Sequence, residues 1–451
     1  MDVIDLGLGP IYLVLVYMLA FIGRSRLKKD DPLRQYYIRG LTLKLFGGIA
    51  AGIVYFFYYK TGDTVFYFYR SKILYEVFQG DFSIFLRLLT EDPFKYDQQL
   101  NDFFKYLIAR DTSAWFLVRI IGVLNIFTFG SYAADAILIS YFSFLGICAL
   151  YRTLIEMYPE QSKEMAVACF FIPSVFFWGS GVFKDAITLL GVCLMTRASY
   201  QIFIKGKSIA YYFFIFVIAF YVTFKLKAYI ALCFIPSLMF WIFFTYGYRI
   251  KSSFLRSLIM PVILVMTIGG AYVFMAQAGS ANSNWSLDQI QDRAKDMQWW
   301  HSKVKDIYGA EGGGGSFYSI GDGSFSISNL LLSFPQAVVV SLFRPFLWEV
   351  RSPVMLLASI EGLVLLVFTI KLIRGFGISK IFKYSKDNPF IFFCLFFAMI
   401  FGFAVGFTSF NFGALVRYKI PLMPFYVAGL YLIRYQATKD KKLEELARTE
   451  K

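Results

Sequence analysis

The residues able to do chemistry in this chain are few, and most are charges at the ends of apolar runs. Asp63 stands in Thr61-Gly62-Asp63-Thr64, followed by Tyr67, Tyr69, Arg70 and Lys72. A carboxylate so placed can take a proton from a hydroxyl. An Asp opening an aromatic amphipathic helix is equally well suited to capping it. The run Trp178-Gly179-Ser180-Gly181-Val182-Phe183-Lys184-Asp185 sets a cation and an anion at the tip of a Gly-rich turn behind Pro173. Charges at a membrane boundary are costly unless they pair or meet a polar ligand, so Lys184 and Asp185 read either as a ligand-binding turn or as an interfacial anchor. Lys225 and Lys227 flank Leu226 just before Tyr229. They suit an anionic group, or snorkelling toward lipid phosphates.

Two Arg-containing motifs complete the set: Phe343-Arg344-Pro345-Phe346-Leu347-Trp348-Glu349, and the run from Asn411 through Arg417, Tyr418 and Lys419 to Pro421 and Pro424. An Arg fork fits phosphate oxygens, and desolvation at an interface strengthens that contact. For Arg344 the alternative is an ion pair with Glu349. The lone His301 has no carboxylate cluster at metal-ligand spacing around it, which does not make a zinc site. Gly312 to Gly315 lacks the Lys of a phosphate-binding loop and reads as a flexible loop. The five cysteines lie inside apolar runs without paired loop spacing, so they read as small core residues.

The elements that must position these groups are membrane helices. Hydrophobic residues make up 58% of the chain, aromatics 20% and charged residues 17%, more apolar surface than a soluble fold can bury. Segments such as 213–224 are apolar all round, whereas barrel strands alternate every second residue. Helical spans are read near 8–23, 38–59, 133–151, 165–181, 186–204, 209–224, 228–247, 257–276, 353–373, 389–408 and 420–435, about eleven crossings of a hydrocarbon core of about 30 Å. Trp115–Phe129 and Leu330–Trp348 are short or interrupted by Arg119, Pro335, Arg344 and Pro345, and read as interfacial or re-entrant helices.

Lys and Arg residues cluster in short loops between the runs. This pattern orients the chain in a membrane and accounts for the net charge of +15 without nucleic acid. It places the N-terminus outside and the C-terminal tail, 436–451, in the cytoplasm. Two long non-cytoplasmic loops follow, 61–132 and 277–352. Their main stretches carry no cationic bias: 61–114 has six basic and eight acidic residues, and 277–329 has four and six. No cleavable leader is expected, because the first apolar stretch is preceded by Asp2 and Asp5 and not by a basic region. The expectation is a single all-α, polytopic transmembrane domain over 1–451, in which the distant charged motifs converge on the non-cytoplasmic face.

On those motifs the chain resembles the GT-C superfamily of membrane glycosyltransferases, particularly the bacterial group related to protein mannosyltransferases and aminoarabinose transferases. Gly62-Asp63 with Tyr67 is similar to the Gly-Asp and Tyr that the family presents in its first external loop. Pro173 through Asp185 resembles its Pro-containing span and external acidic turn. Arg417-Tyr418-Lys419-Ile420-Pro421-Leu422-Met423-Pro424 is similar to the Arg-Tyr-x-x-Pro-x-x-Pro pattern opening the last span, and is the most specific match. The chain departs from many relatives in lacking a paired acidic motif in the first loop and a soluble domain after the spans. The donor sugar is therefore left unassigned.

The resemblance implies attack of an acceptor hydroxyl on an anomeric carbon, with a polyprenyl phosphate or diphosphate as leaving group. Asp63 would be the base. Lys184, Lys225, Lys227, Arg344, Arg417 or Lys419 would stabilise the leaving phosphate, with Tyr67, Asp185, Glu349 and Tyr418 also in the substrate site. A divalent cation is an open possibility; the acceptor is a glycan, lipid or protein, and the location the inner membrane of a cell envelope. A polysaccharide polymerase or ligase would use similar groups. A transporter or an envelope-complex subunit is the non-enzymatic alternative, although no internal repeat of the transporter kind is evident.

Overall fold

The computed structural model describes residues 3–91, 98, 100, 111–247, 261–262, 318, 320, 327–409 and 411–449. The expected span at 257–276 save 261–262, His301, the glycine run at 312–315 and much of both long loops lie outside these residues. Every regular element described is helical. Among the described residues, seven helices are long and apolar enough to cross a membrane.

In chain order the helices are α1 (Val3–Ser25), α2 (Pro32–Ile53), α3 (Asp63–Gly80), α4 (Phe82–Thr90), α5 (Thr112–Thr128), α6 (Tyr132–Met157), α7 (Ser162–Phe170) and α8 (Pro173–Trp178). They continue with α9 (Lys184–Ser199), α10 (Ile209–Tyr246), α11 (Ile327–Phe343), α12 (Pro353–Phe376), α13 (Ile378–Asp387), α14 (Pro389–Ser409), α15 (Phe412–Tyr418) and α16 (Met423–Thr449). Wider-wound π turns extend α2 over Val54–Tyr59 and α9 over Tyr200–Lys205.

The seven apolar helices cover eight of the expected crossings, because 209–224 and 228–247 join in the 38-residue α10. Such a helix is about 57 Å long at 1.5 Å per residue, nearly twice a hydrocarbon core. Lys227 resolves the mismatch: its backbone leaves the helical region, at φ −150° and ψ 82°. The expected span at 165–181 is instead broken into α7 and α8, where Pro173 starts a new helix. The segment read as interfacial at 115–129 belongs to the 17-residue α5. The last expected span, 420–435, starts in a 3-10 turn over Ile420–Leu422 and continues in α16, whose apolar stretch meets Arg434, Lys439 and Asp440 too soon to reach span length.

The chain divides into two compact units. The first contains 1–153, 175–202 and 207–228, and the second 154–174, 203–206 and 229–451. In the first, α3 packs along α5, and Phe68, Leu74, Trp115, Val118, Ile121 and Tyr132 form its core. Leu74 seats against Gly122, where a Cβ would come within 2.9 Å of it. In the second, α11 packs along α14. Gly402 and Gly406 face Ser341 and Ala337, and an added Cβ on Gly406 would lie 2.1 Å from the Ala337 carbonyl oxygen. Small residues on both helices permit this approach, which supplies close packing where lipid removes the hydrophobic drive between helices.

Candidate functional site

In the first unit, local backbone chemistry fixes the start of α3. Gly62 has φ +122°, a region that side-chain-bearing residues avoid, and a Cβ there would come within 2.5 Å of the Tyr55 ring. Gly62 occupies the cap position, with no side-chain cap. Asp63 is thus the first residue inside the helix, partly exposed, where the helix dipole favours a carboxylate. The N-cap alternative is not realised. One turn on, Tyr67 is buried on the same helix face as Asp63.

Lys184 meets this face. Its Nζ lies 5.7 Å from the Tyr67 ring centre and donates to Asp111 Oδ2 at 2.8 Å and Ser113 Oγ at 2.6 Å. Asp111 in turn caps α5, accepting from the Ser113 N–H at 2.9 Å and hydroxyl at 2.7 Å. Burial works to raise the Asp111 carboxyl, but the Lys184 ammonium and the Ser113 donors outweigh it and hold the group below its ordinary value. The pair is lopsided in exposure, with the Lys184 side chain 11% and that of Asp111 50% accessible.

The turn that carries Lys184 is pinned from beneath. Buried Lys44 on α2 donates to Gly179 O at 2.7 Å, Val175 O at 3.0 Å and Ser143 Oγ at 3.1 Å. Ser143 also donates to Gly179 O, and Ser140 Oγ accepts from Gly181 N. Gly47 lets α2 approach, since a Cβ there would lie 1.9 Å from Phe176 O. Asp185, next to Lys184, turns the other way and accepts from Lys227 Nζ at 2.5 Å in a buried pair. Lys225 is exposed and lies over Tyr221, the arrangement of a snorkelling lysine. The structure therefore sets Lys184 against Tyr67, one helical turn along α3 from Asp63, makes Asp185 and Lys227 an internal pair, and leaves Lys225 exposed over Tyr221.

In the second unit the Arg344 guanidinium embraces Glu349, with Nε to Oε2 at 3.0 Å and Nη2 on Oε1. The Phe346 N–H adds a bond at 2.8 Å. Burial opposes ionisation of Glu349, and Arg344 with that N–H overcomes it, holding the carboxyl below its ordinary value. The guanidinium also lies 4.9 Å from the Phe412 ring centre. Arg344 is thus the ion-paired residue of the two sequence alternatives. Arg417 is buried in the last turn of α15, Tyr418 ends that helix, and Lys419 is buried with its Nζ 3.5 Å from Leu342 O.

Sequence reasoning missed Lys44, Asp111, Ser113 and Glu361. Glu361, within α12, accepts from both the N–H and the hydroxyl of Ser174 at 2.7 Å. Lys44 and Glu361 had a signal: each is an ionisable residue inside an apolar run, which is expensive unless partnered. Asp111 had none, since an Asp before Thr-Ser reads only as a cap. Among the described residues no three His, Cys, Asp or Glu form a group able to hold a metal ion. Comparison of the chain with protein-family models, with curated proteins and with solved structures gives no match.

Proposed function

We propose that this chain is a membrane glycosyltransferase of the GT-C kind, crossing the inner membrane of a cell envelope about eleven times, with its N-terminus outside and its tail in the cytoplasm. It moves a sugar from a polyprenyl-phosphate-linked donor to a hydroxyl on a glycan, lipid or protein acceptor. Asp63 takes the hydroxyl proton as the acceptor oxygen bonds to the anomeric carbon. The carbon–phosphate oxygen bond breaks, and the phosphate leaves with the electron pair.

The observation that carries this reading is the grouping of Asp63, Tyr67 and Lys184 at one end of α3. The transfer calls for a base at the acceptor hydroxyl and a cation at the leaving phosphate; Tyr67 lies one helical turn from Asp63 and takes Lys184 Nζ against its ring at 5.7 Å. A donor phosphate competes with half-exposed Asp111 for Lys184, and Ser113 offers a second hydrogen-bond donor. Arg344, committed to Glu349, orders its own loop, and no step is assigned to Arg417, Tyr418 or Lys419.

The test is incorporation of sugar from radiolabelled polyprenyl-phosphate donors into membranes carrying the chain or its Asp63→Asn form, at matched protein level. Loss of transfer on D63N supports the assignment; unchanged transfer ends it.

A further inference from the structure

The second unit carries a groove that the proposed chemistry leaves unused. It is an open cavity of about 640 Å³ along α12 and α16, walled by Leu363, Val367, Phe368 and Phe376, with Lys371 and Arg434 in its lining. Leu363 and Val367 are exposed, and on a membrane helix such side chains meet acyl chains. The cations border the second half of this apolar wall: Lys371 follows Val367 by one turn and precedes Phe376, and Arg434 stands where the apolar stretch of α16 gives way to charge.

Arg434 is held without being used up. Its guanidinium lies 5.1 Å from the Tyr431 ring centre and 5.9 Å from that of Phe368. Its contact with Glu164 is long, 3.5 Å, between side chains that are 46% and 27% exposed. Nearby Lys441 lies over Phe376. From 371 to 387 the chain has five basic residues and one acidic one, and α13 leaves Ile378 and Phe382 exposed beside Lys380 and Lys383. An apolar slot ending in a basic collar matches one class of molecule in shape and charge: an acyl chain beneath an anionic headgroup.

We propose that this groove binds an anionic glycerophospholipid, with acyl chain along Leu363, Val367 and Phe368 and headgroup phosphate on Lys371 and Arg434. The two aromatic rings pre-orient the guanidinium, and the phosphate displaces or shares it with Glu164. The site is separate from the residues given a role in glycosyl transfer and does not depend on that reading.

The test is native mass spectrometry of the purified full chain with phosphatidylglycerol, phosphatidylcholine or a polyprenyl phosphate added in turn. Phosphatidylglycerol is expected to be retained about tenfold more than phosphatidylcholine, from two interfacial cations. K371Q/R434Q should bring the ratio to about one while leaving the thermal midpoint and gel-filtration profile unchanged. Glu164→Gln removes the ion pair but keeps the cation, and should leave the preference intact. Equal retention of the two phospholipids, or a preference surviving in K371Q/R434Q, overturns the proposal. So does an equal loss in E164Q, which would make the groove's order and not its charge responsible. Preferential retention of polyprenyl phosphate overturns it in favour of a substrate-chain site.

Discussion

Lys227 reaches Asp185 from the one non-helical residue inside α10, and the two side chains are 7% and 0% exposed. The break in the helix and the buried pair have one cause. A lysine in mid-helix would project along the apolar wall, whereas the altered backbone turns Nζ onto a carboxylate in the first turn of α9. Replacing a buried pair whole costs little, but removing one partner leaves an uncompensated charge, at about 3–5 kcal/mol. Lys227→Met should therefore lower the thermal midpoint sharply. K227M/D185L should recover much of the loss. A double-mutant cycle by thermal unfolding in lipid nanodiscs checks this, and strictly additive single effects would refute the coupling.

Asp111 and Lys184 give the first unit a dependence on pH. The Asp111 carboxyl is held below its ordinary value in the folded chain. Its contribution is therefore complete above the unfolded aspartate value of about 3.9 and is lost as pH falls through the lower folded one. Lys184→Met removes the main lowering influence and leaves burial, which raises the group. The loss of stability on acidification below about pH 3.9 should therefore be smaller in K184M than in the parent, or reversed. Thermal midpoints of both proteins, measured from neutral to acid pH, decide the point, and identical profiles would contradict it.

Gly406 sets α14 against the backbone of α11. A methyl group placed 2.1 Å from the Ala337 carbonyl oxygen meets backbone that cannot step aside, so even Gly406→Ala should push the helices apart, at about 1–3 kcal/mol. Gly413→Ala is the control, because its added carbon would meet only the Asn411 side chain, at 3.1 Å. Unfolding of the two variants in the same detergent should show a clear loss for G406A and a small change for G413A. A silent G406A would place the packing seam elsewhere.

What the sequence made legible follows the physics of each feature. Helix α14 announces itself through an uninterrupted apolar run, and α6 and α12 through runs broken by a single carboxylate, Asp135 and Glu361, because lipid forces the backbone to satisfy itself. The break between α7 and α8 was less visible, since Pro173 is tolerated inside many membrane helices and only tertiary partners decide whether it ends one. Asp63 and Lys184 were recognisable as charges at run ends, yet nothing in the sequence showed that Lys184 lies against the Tyr67 ring or that Asp111 holds the lysine. Those relations cross α3, α5 and α9 and depend on close approaches at Gly47 and Gly122. The Gly402-x-x-x-Gly406 spacing was open to reading as a packing seam. Lys44 was likewise open to reading: a lone cation in an apolar run demands acceptors, and α8 and the turn after it supply them through the Val175 and Gly179 carbonyls.

The proposed roles of Asp63 and Lys184 separate kinetically. A base acts on the acceptor proton in the transition state, so Asp63→Asn should lower turnover by about 10²- to 10⁴-fold with little change in donor affinity. A cation that holds the donor phosphate acts before and during bond breaking, so Lys184→Gln should weaken donor binding as well as slow transfer, and Lys184→Arg should restore part of both. Merely structural damage from K184Q would lower the amount of active protein without changing the donor concentration for half-maximal transfer. Measuring transfer against donor concentration in both variants, alongside their thermal midpoints, therefore distinguishes the two. If D63N weakens donor binding and K184Q leaves it untouched, the assignment of base and phosphate-binding cation is reversed or wrong.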